Sequence, residues 1–125
     1  MTDTPKILLV EDDESLASVY QTRFEAEGFQ VRHVASGEDA LPVAIDYRPD
    51  LILLDVMIPG IGGFDVLDLI RTTPQTMSTR VIMLSALSQP KDKARAESLG
   101  VDDYLVKSQV VISDVVARIR RVLAN

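Results

Sequence analysis

Short, wholly apolar runs constrain this chain most: Ile7-Leu8-Leu9-Val10, Leu51-Ile52-Leu53-Leu54, Val81-Ile82-Met83-Leu84 and the briefer Tyr104-Leu105-Val106. None alternates apolar with polar residues, so each reads as a strand buried on both faces, as in a parallel sheet. A more polar stretch, Gln30 to Val34, suits a sheet edge. Between the runs lie helical patterns. Leu16, Tyr20 and Phe24 fall on one stripe, Phe64, Leu67 and Ile70 on another, and Ile112, Val115, Val116, Ile119, Val122 and Leu123 on a third. Lys91 to Leu99 reads as a short helix stopped by Gly100. Asp13 is expected to N-cap the first helix and Gly28 to end it. Ser36 and Asp39 resemble a capping box for a second helix, in which Pro42 should introduce a kink.

Five strands alternating with five helices through short connections predict a doubly wound α/β sheet with right-handed crossovers. No repeat, linker or low-complexity tract interrupts the 125 residues. One domain over 1–125 is therefore expected, with no output domain in this chain.

Several chemistries are excluded early. There is no cysteine and only one histidine, His33, so thiolate metal sites, a cysteine nucleophile and multi-histidine metal sites fall away. His33 reads as a surface residue of the edge strand. With 19 acidic and 13 basic residues the net charge is −6, which argues against a broad phosphate-backbone surface. The N-terminus lacks a signal-peptide pattern and no apolar run approaches the roughly 20 residues that span a bilayer, so the expected location is the cytoplasm.

In an open parallel sheet, function gathers beyond the carboxyl ends of the strands. The first strand delivers Glu11, Asp12 and Asp13 there, the third Asp55, the fourth Ser85 and the fifth Lys107. Like charges about 4 Å apart repel by roughly 4 kcal/mol at an effective dielectric near 20, so a carboxylate cluster calls for a hard divalent cation such as Mg2+. Lys107 and Ser85 offer contacts to phosphate oxygens. Asp55, leaving a buried strand, is placed to attack phosphorus and form an aspartyl phosphate. The bland reading of each residue alone is a turn former, helix cap or solvated lysine; the set together argues otherwise.

Val10-Glu11-Asp12-Asp13, Leu53 to Gly60, Leu84-Ser85-Ala86 and Asp103 to Lys107, in that order and spacing, resemble the receiver domain of bacterial two-component response regulators over nearly the whole chain. The resemblance implies sheet order 2-1-3-4-5 in a flavodoxin-like receiver fold. It further implies that Asp55 accepts a phosphoryl group from the phosphohistidine of a sensor histidine kinase or histidine phosphotransfer protein. Asp12, Asp55, the backbone carbonyl of Met57 and Glu11 (directly or through water) would hold Mg2+ or Mn2+. Ser85 and Lys107 would grip the phosphoryl oxygens. Tyr104 would turn inward as Ser85 moves, reshaping the face of the fourth helix, fifth strand and fifth helix for a downstream protein.

The same resemblance implies no enzyme in the turnover sense, only self-phosphorylation and slow dephosphorylation. A homodimer on phosphorylation is a further expectation, since the helix carrying Arg118, Arg120 and Arg121 could pair with acids such as a neighbour's Asp102. Two departures stand out. Ser108 replaces the family's usual proline after the lysine, leaving the loop from Lys107 to Val110 undefined, and Ser85 replaces the commoner threonine while keeping the hydroxyl. The resemblance also implies that Met57 and Leu87, two residues after Asp55 and Ser85, border the path of the hydrolytic water, and being apolar they predict a long-lived phosphoryl group.

Competing readings are weaker. An aspartyl-phosphate phosphatase would carry a second aspartate where Met57 stands. A non-phosphorylated pseudo-receiver would not need Asp12, Asp55, Ser85 and Lys107 together. Gly60-Ile61-Gly62-Gly63 lacks both the third glycine of a dinucleotide fingerprint and the lysine of a phosphate-cradling loop. A flavin phosphate would meet an acidic first loop.

Overall fold

Alternate residues along each interior strand enter different cores. In the computed structural model, which describes residues 4–125, Ile7, Leu9, Leu51, Leu53, Ile82, Leu84 and Leu105 pack on one side of the sheet with Tyr20, Phe24, Val115 and Ile119. Leu8, Val10, Ile52, Leu54, Val81, Met83 and Tyr104 pack on the other with Ala40, Phe64, Leu67, Ile70 and Ala96. Burial on both faces is why the runs lack period-two polarity. Truncating one of these leucines to alanine costs about 2–5 kcal/mol.

The elements follow in strict alternation: β1 (Lys6–Val10), α1 (Glu14–Ala26), β2 (Gln30–Val34), α2 (Gly37–Tyr47), β3 (Leu51–Asp55), α3 (Gly63–Thr72), β4 (Arg80–Ser85), α4 (Pro90–Ser98), β5 (Asp103–Val106), a 3-10 turn (Lys107–Gln109) and α5 (Ile112–Ala124). The strands form one sheet in the order β2-β1-β3-β4-β5, and every pairing is parallel. The fold is thus the doubly wound arrangement expected, five parallel strands in order 2-1-3-4-5 with five helices. The β2 strand is at the edge, as its polarity implied.

Local signals acted mostly as expected. The Asp13 side chain accepts from Leu16 N–H at 3.1 Å, capping α1, and Gly28 follows that helix with φ +96°. The α2 helix runs through Pro42 to Tyr47. One expectation is corrected: Ser36 occupies the N-cap of α2 but makes no capping bond to the backbone. Its hydroxyl instead donates to Asp39 Oδ2 at 3.1 Å, which uses both side chains of the supposed box on each other. The loop after Lys107, left open by Ser108, is the 3-10 turn, and among the described residues every peptide bond is trans. No helix there is long and apolar enough to cross a membrane.

The arginines of α5 make ion pairs within the chain. Arg118 binds Asp103 Oδ2 at 2.7 Å, with Arg121 3.8 Å from the same oxygen, and Arg120 binds Glu27 Oε1 at 3.0 Å. Asp102 accepts from Arg71 at 3.0 Å and from Val81 N–H at 2.7 Å. These charges find partners within the chain, so they do not by themselves call for a second copy.

Candidate functional site

Strand register brings the site together. Val10 pairs with Leu54, so the next residues, Glu11 and Asp55, leave the sheet side by side, while Asp55 pairs with Leu84 and Ser85 with Val106. Lys107 therefore follows β5 at the same rim. This rim lies beside the reversal of strand order between β1 and β3, where such sheets bind ligands.

Asp55 is buried, and both its oxygens have donors: Met57 N–H reaches Oδ1 at 3.0 Å and Lys107 Nζ reaches Oδ2 at 2.8 Å. Lys107 also donates to Glu11 Oε1 at 3.1 Å. Glu11 is only 2 % exposed, and its other oxygen accepts from Asp13 N–H at 3.1 Å. Burial raises the Glu11 pKa above the ordinary 4.5, and the Asp55 charge adds to the rise, against the lowering effect of the Asp13 and Lys107 hydrogen bonds. For Lys107 burial pulls the pKa down, but the bonds to Asp55 and Glu11 outweigh it and the net shift is upward.

Glu11, Asp12 and the buried Asp55 each present a carboxylate oxygen within 4.8 Å of the others, Asp12 from an exposed position. Clustered carboxylate oxygens are the donor set that Mg2+ prefers, so these three residues would suit such an ion. With three carboxylates facing one ammonium, negative charge is in excess at this rim, which a divalent cation would offset. Asp13, delivered by the same strand, is the helix cap and stands outside this cluster.

Ser85 is fully buried, and its Oγ accepts from Leu87 N–H at 3.0 Å. The Leu87 carbonyl in turn accepts from the Tyr104 hydroxyl at 2.9 Å. Tyr104 is buried among the residues of the second core, so it points inward here, and burial raises its pKa. Leu87 thus ties the hydroxyl of β4 to the aromatic of β5 through its own peptide groups. Met57 has a 58 % exposed side chain, while its N–H points to Asp55.

One participant escaped the sequence reading. His33 Nε2 donates to the carbonyl of Glu11 at 2.6 Å, and Glu11 N–H donates to the carbonyl of Val34 at 3.1 Å. The end of the edge strand therefore clamps both peptide groups of the acidic residue. Only the register of β1 on β2, Leu9 opposite His33, could have suggested it.

Comparison with known proteins points one way. The family described as the response regulator receiver domain matches residues 7–120. Among curated proteins, the transcriptional regulatory protein AfsQ1 of Streptomyces coelicolor is 42% identical over 120 residues, covering 95% of this chain and 51% of that protein. CpxR of Escherichia coli, also a transcriptional regulatory protein, is 45% identical over 118 residues, covering 94% of this chain and 49% of its own. RpaA of Synechocystis, described as a DNA-binding transcriptional regulator, is 34% identical over 119 residues, covering 95% of this chain and 49% of that protein.

The chain spans about half the length of these curated relatives, so its acidic charge bears on nucleic-acid binding by these residues alone. Among solved structures, the receiver domain of Francisella response regulator 1452 superimposes with a TM-score of 0.89 at 31% identity, covering 97% of this chain and 98% of that one. The chemotaxis response regulator CheY4 of Vibrio cholerae gives 0.89 at 28% identity, covering 96% and 99%.

Proposed function

The chain belongs to the response regulator receiver family, and from that premise we propose that it is the phosphoacceptor of a two-component phosphorelay, with Asp55 as the residue that carries the phosphoryl group. The observation behind this reading is the single cluster in which Asp55, Glu11 and Asp12 meet while Lys107 bonds to the first two. An Asp55 oxygen attacks the phosphorus of a phosphohistidine on a kinase or phosphotransfer protein. A P–O bond to Asp55 forms as the P–N bond breaks, and the imidazole nitrogen keeps the electron pair and takes up a proton.

Asp12, Asp55 and Glu11, with the main-chain carbonyl of Met57, would hold Mg2+ or Mn2+. Bound there, the ion supplies positive charge to the phosphoryl oxygens. Lys107 is poised to exchange a carboxylate partner for a phosphoryl oxygen, since its ammonium has three donors. Ser85 would give up the Leu87 amide to meet the same group, and that exchange would loosen the Ser85–Leu87–Tyr104 connection. A downstream protein would read the result on the face formed by α4, β5 and α5. Met57, standing two residues after Asp55 where a phosphatase would carry its acid, favours signalling over turnover.

The test is incubation with Mg2+ and acetyl phosphate followed by intact mass measurement. A gain of one phosphoryl group, absent in Asp55→Asn, is the expected result; no gain in the native protein overturns the reading, and rapid multiple turnover of the donor would favour the phosphatase.

A further inference from the structure

The loop between β3 and α3 is held from outside by a residue of another helix. Near Asp55 the loop is fixed by Met57 N–H on the carboxylate, and it closes on itself through Gly63 N–H to the Val56 carbonyl at 3.0 Å. Its far part has a different anchor. Ile61 N–H donates to Glu38 Oε1 at 2.8 Å, across 23 residues, from the first turn of α2. Two glycines permit this approach. Gly60, at φ +74°, has the Glu38 carboxylate in the space a Cβ would fill, and a Cβ on Gly37 would strike the carbonyl of Ile61. The start of α2 and residues 60–61 are therefore in main-chain contact, with one carboxylate joining them.

We propose that Glu38 is a positioning residue for the phosphoacceptor site. Its carboxylate holds the Ile61 amide, and through that the loop, so that the main chain of Met57 is set against Asp55 and its carbonyl is ready to act as a cation ligand. This inference rests on the reading of Asp55 as phosphoacceptor. Groups outside the metal ligands that orient them commonly change metal affinity by 10–100-fold when removed. Glu38 works through the peptide chain between Ile61 and Met57, so the low end of that range is expected.

The experiment compares Glu38→Ala, Glu38→Gln and Glu38→Asp with the native chain, with Asp39→Ala as a neighbour that loses the same charge without touching the loop. Mg2+ binding is measured by calorimetry, and amide hydrogen exchange at Ile61 and Met57 by NMR without the metal. Glu38→Ala should weaken Mg2+ binding about tenfold and raise exchange at both amides. Glu38→Asp, too short to reach, should behave alike. Glu38→Gln keeps an acceptor at the same reach and should stay within about twofold of native, as should Asp39→Ala.

With acetyl phosphate, Glu38→Ala should be slow at limiting Mg2+ and recover at saturation. Native Mg2+ affinity and native Met57 exchange in Glu38→Ala would overturn the role, and so would a Glu38→Gln protein as impaired as Glu38→Ala. A native chain that binds Mg2+ but never gains a phosphoryl group overturns the phosphoacceptor reading instead, leaving the calorimetry and exchange to judge Glu38.

Discussion

Lys107 holds its ammonium 2.8 Å from Asp55 Oδ2, so the end of β5 is ionically tied to the end of β3. The same nitrogen reaches Glu11 at 3.1 Å. One cation thus offsets two nearly buried carboxylates, and the site would be a concentration of unscreened negative charge without it.

Removing that cation has a testable cost. Breaking a buried ion pair by deleting one partner typically costs 3–5 kcal/mol, and the partial exposure of Lys107 lowers the figure. Lys107→Met, which retains the apolar stem, should be about 2 kcal/mol less stable in urea unfolding without divalent ions. Millimolar Mg2+ should restore much of the loss, because an ion held by the same carboxylates only in the folded state would stabilise it. An equal loss with and without Mg2+ would refute the shared electrostatic role.

Glu11 gives a pH dependence of definite sign. Its pKa in the folded chain is raised above 4.5, chiefly by burial. Between that ordinary value and the raised one, the folded state binds more protons than the unfolded state, so this group's contribution to stability falls as pH rises through the window. Stability relative to Glu11→Gln should therefore decline from pH 4 upward and level off above the raised pKa. Mg2+ binding should release protons in the same window, since the cation needs the ionised form. Denaturant titrations of both proteins and calorimetry in buffers of different ionisation enthalpy measure the two effects. Stability of the native chain that rises relative to Glu11→Gln across this interval would contradict the sign.

The apolar runs announced the fold because their burial on both faces removed any ambiguity of period. Once the strands are parallel, Glu11, Asp55, Ser85 and Lys107 must leave them at one rim, so most of the cluster follows from where each run stops. What stayed hidden depends on side-chain reach across elements. Nothing local marks His33 as a donor to the Glu11 carbonyl, because that contact needs the β1–β2 register and a particular ring orientation. Ser36 and Asp39 fit a capping pattern by spacing, yet bonding to each other is equally available to them. Arg118 and Arg120 bond to Asp103 and Glu27, 15 and 93 residues away, pairings that no local spacing marks.

Gly63 illustrates a residue whose spacing role understates its structural one. A Cβ there would meet the Asp55 carbonyl and the Cα of Val56, backbone atoms that cannot swing aside. Gly63→Ala should cost about 2 kcal/mol through forced backbone movement and should lower Mg2+ affinity by displacing Asp55. Gly62→Ala is the control, because its Cβ would meet nothing within 4 Å. Thermal unfolding and Mg2+ titration of both variants check this; equal effects at the two positions would count against the close approach at Gly63.

The side chains near Asp55 also bear on how long a phosphoryl group would persist there. Met57 is largely exposed two residues after Asp55, and Leu87 follows Ser85 by two with its peptide groups engaged by Ser85 and Tyr104. Neither side chain can orient a water by hydrogen bonding, so attack on an aspartyl phosphate at Asp55 would proceed without that help. One added hydrogen bond of net worth about 1 kcal/mol, if expressed only in the transition state, corresponds to roughly fivefold in rate. Met57→Asn, which supplies an amide at an exposed position with little packing to lose, should therefore shorten the lifetime of the phosphorylated protein about fivefold. Leu87→Glu should act in the same direction, since its main-chain bonds do not depend on the side chain. Intact mass measured over time after removal of acetyl phosphate reads the decay directly. Unchanged decay in both variants would show that water access, rather than water orientation, limits hydrolysis in this site.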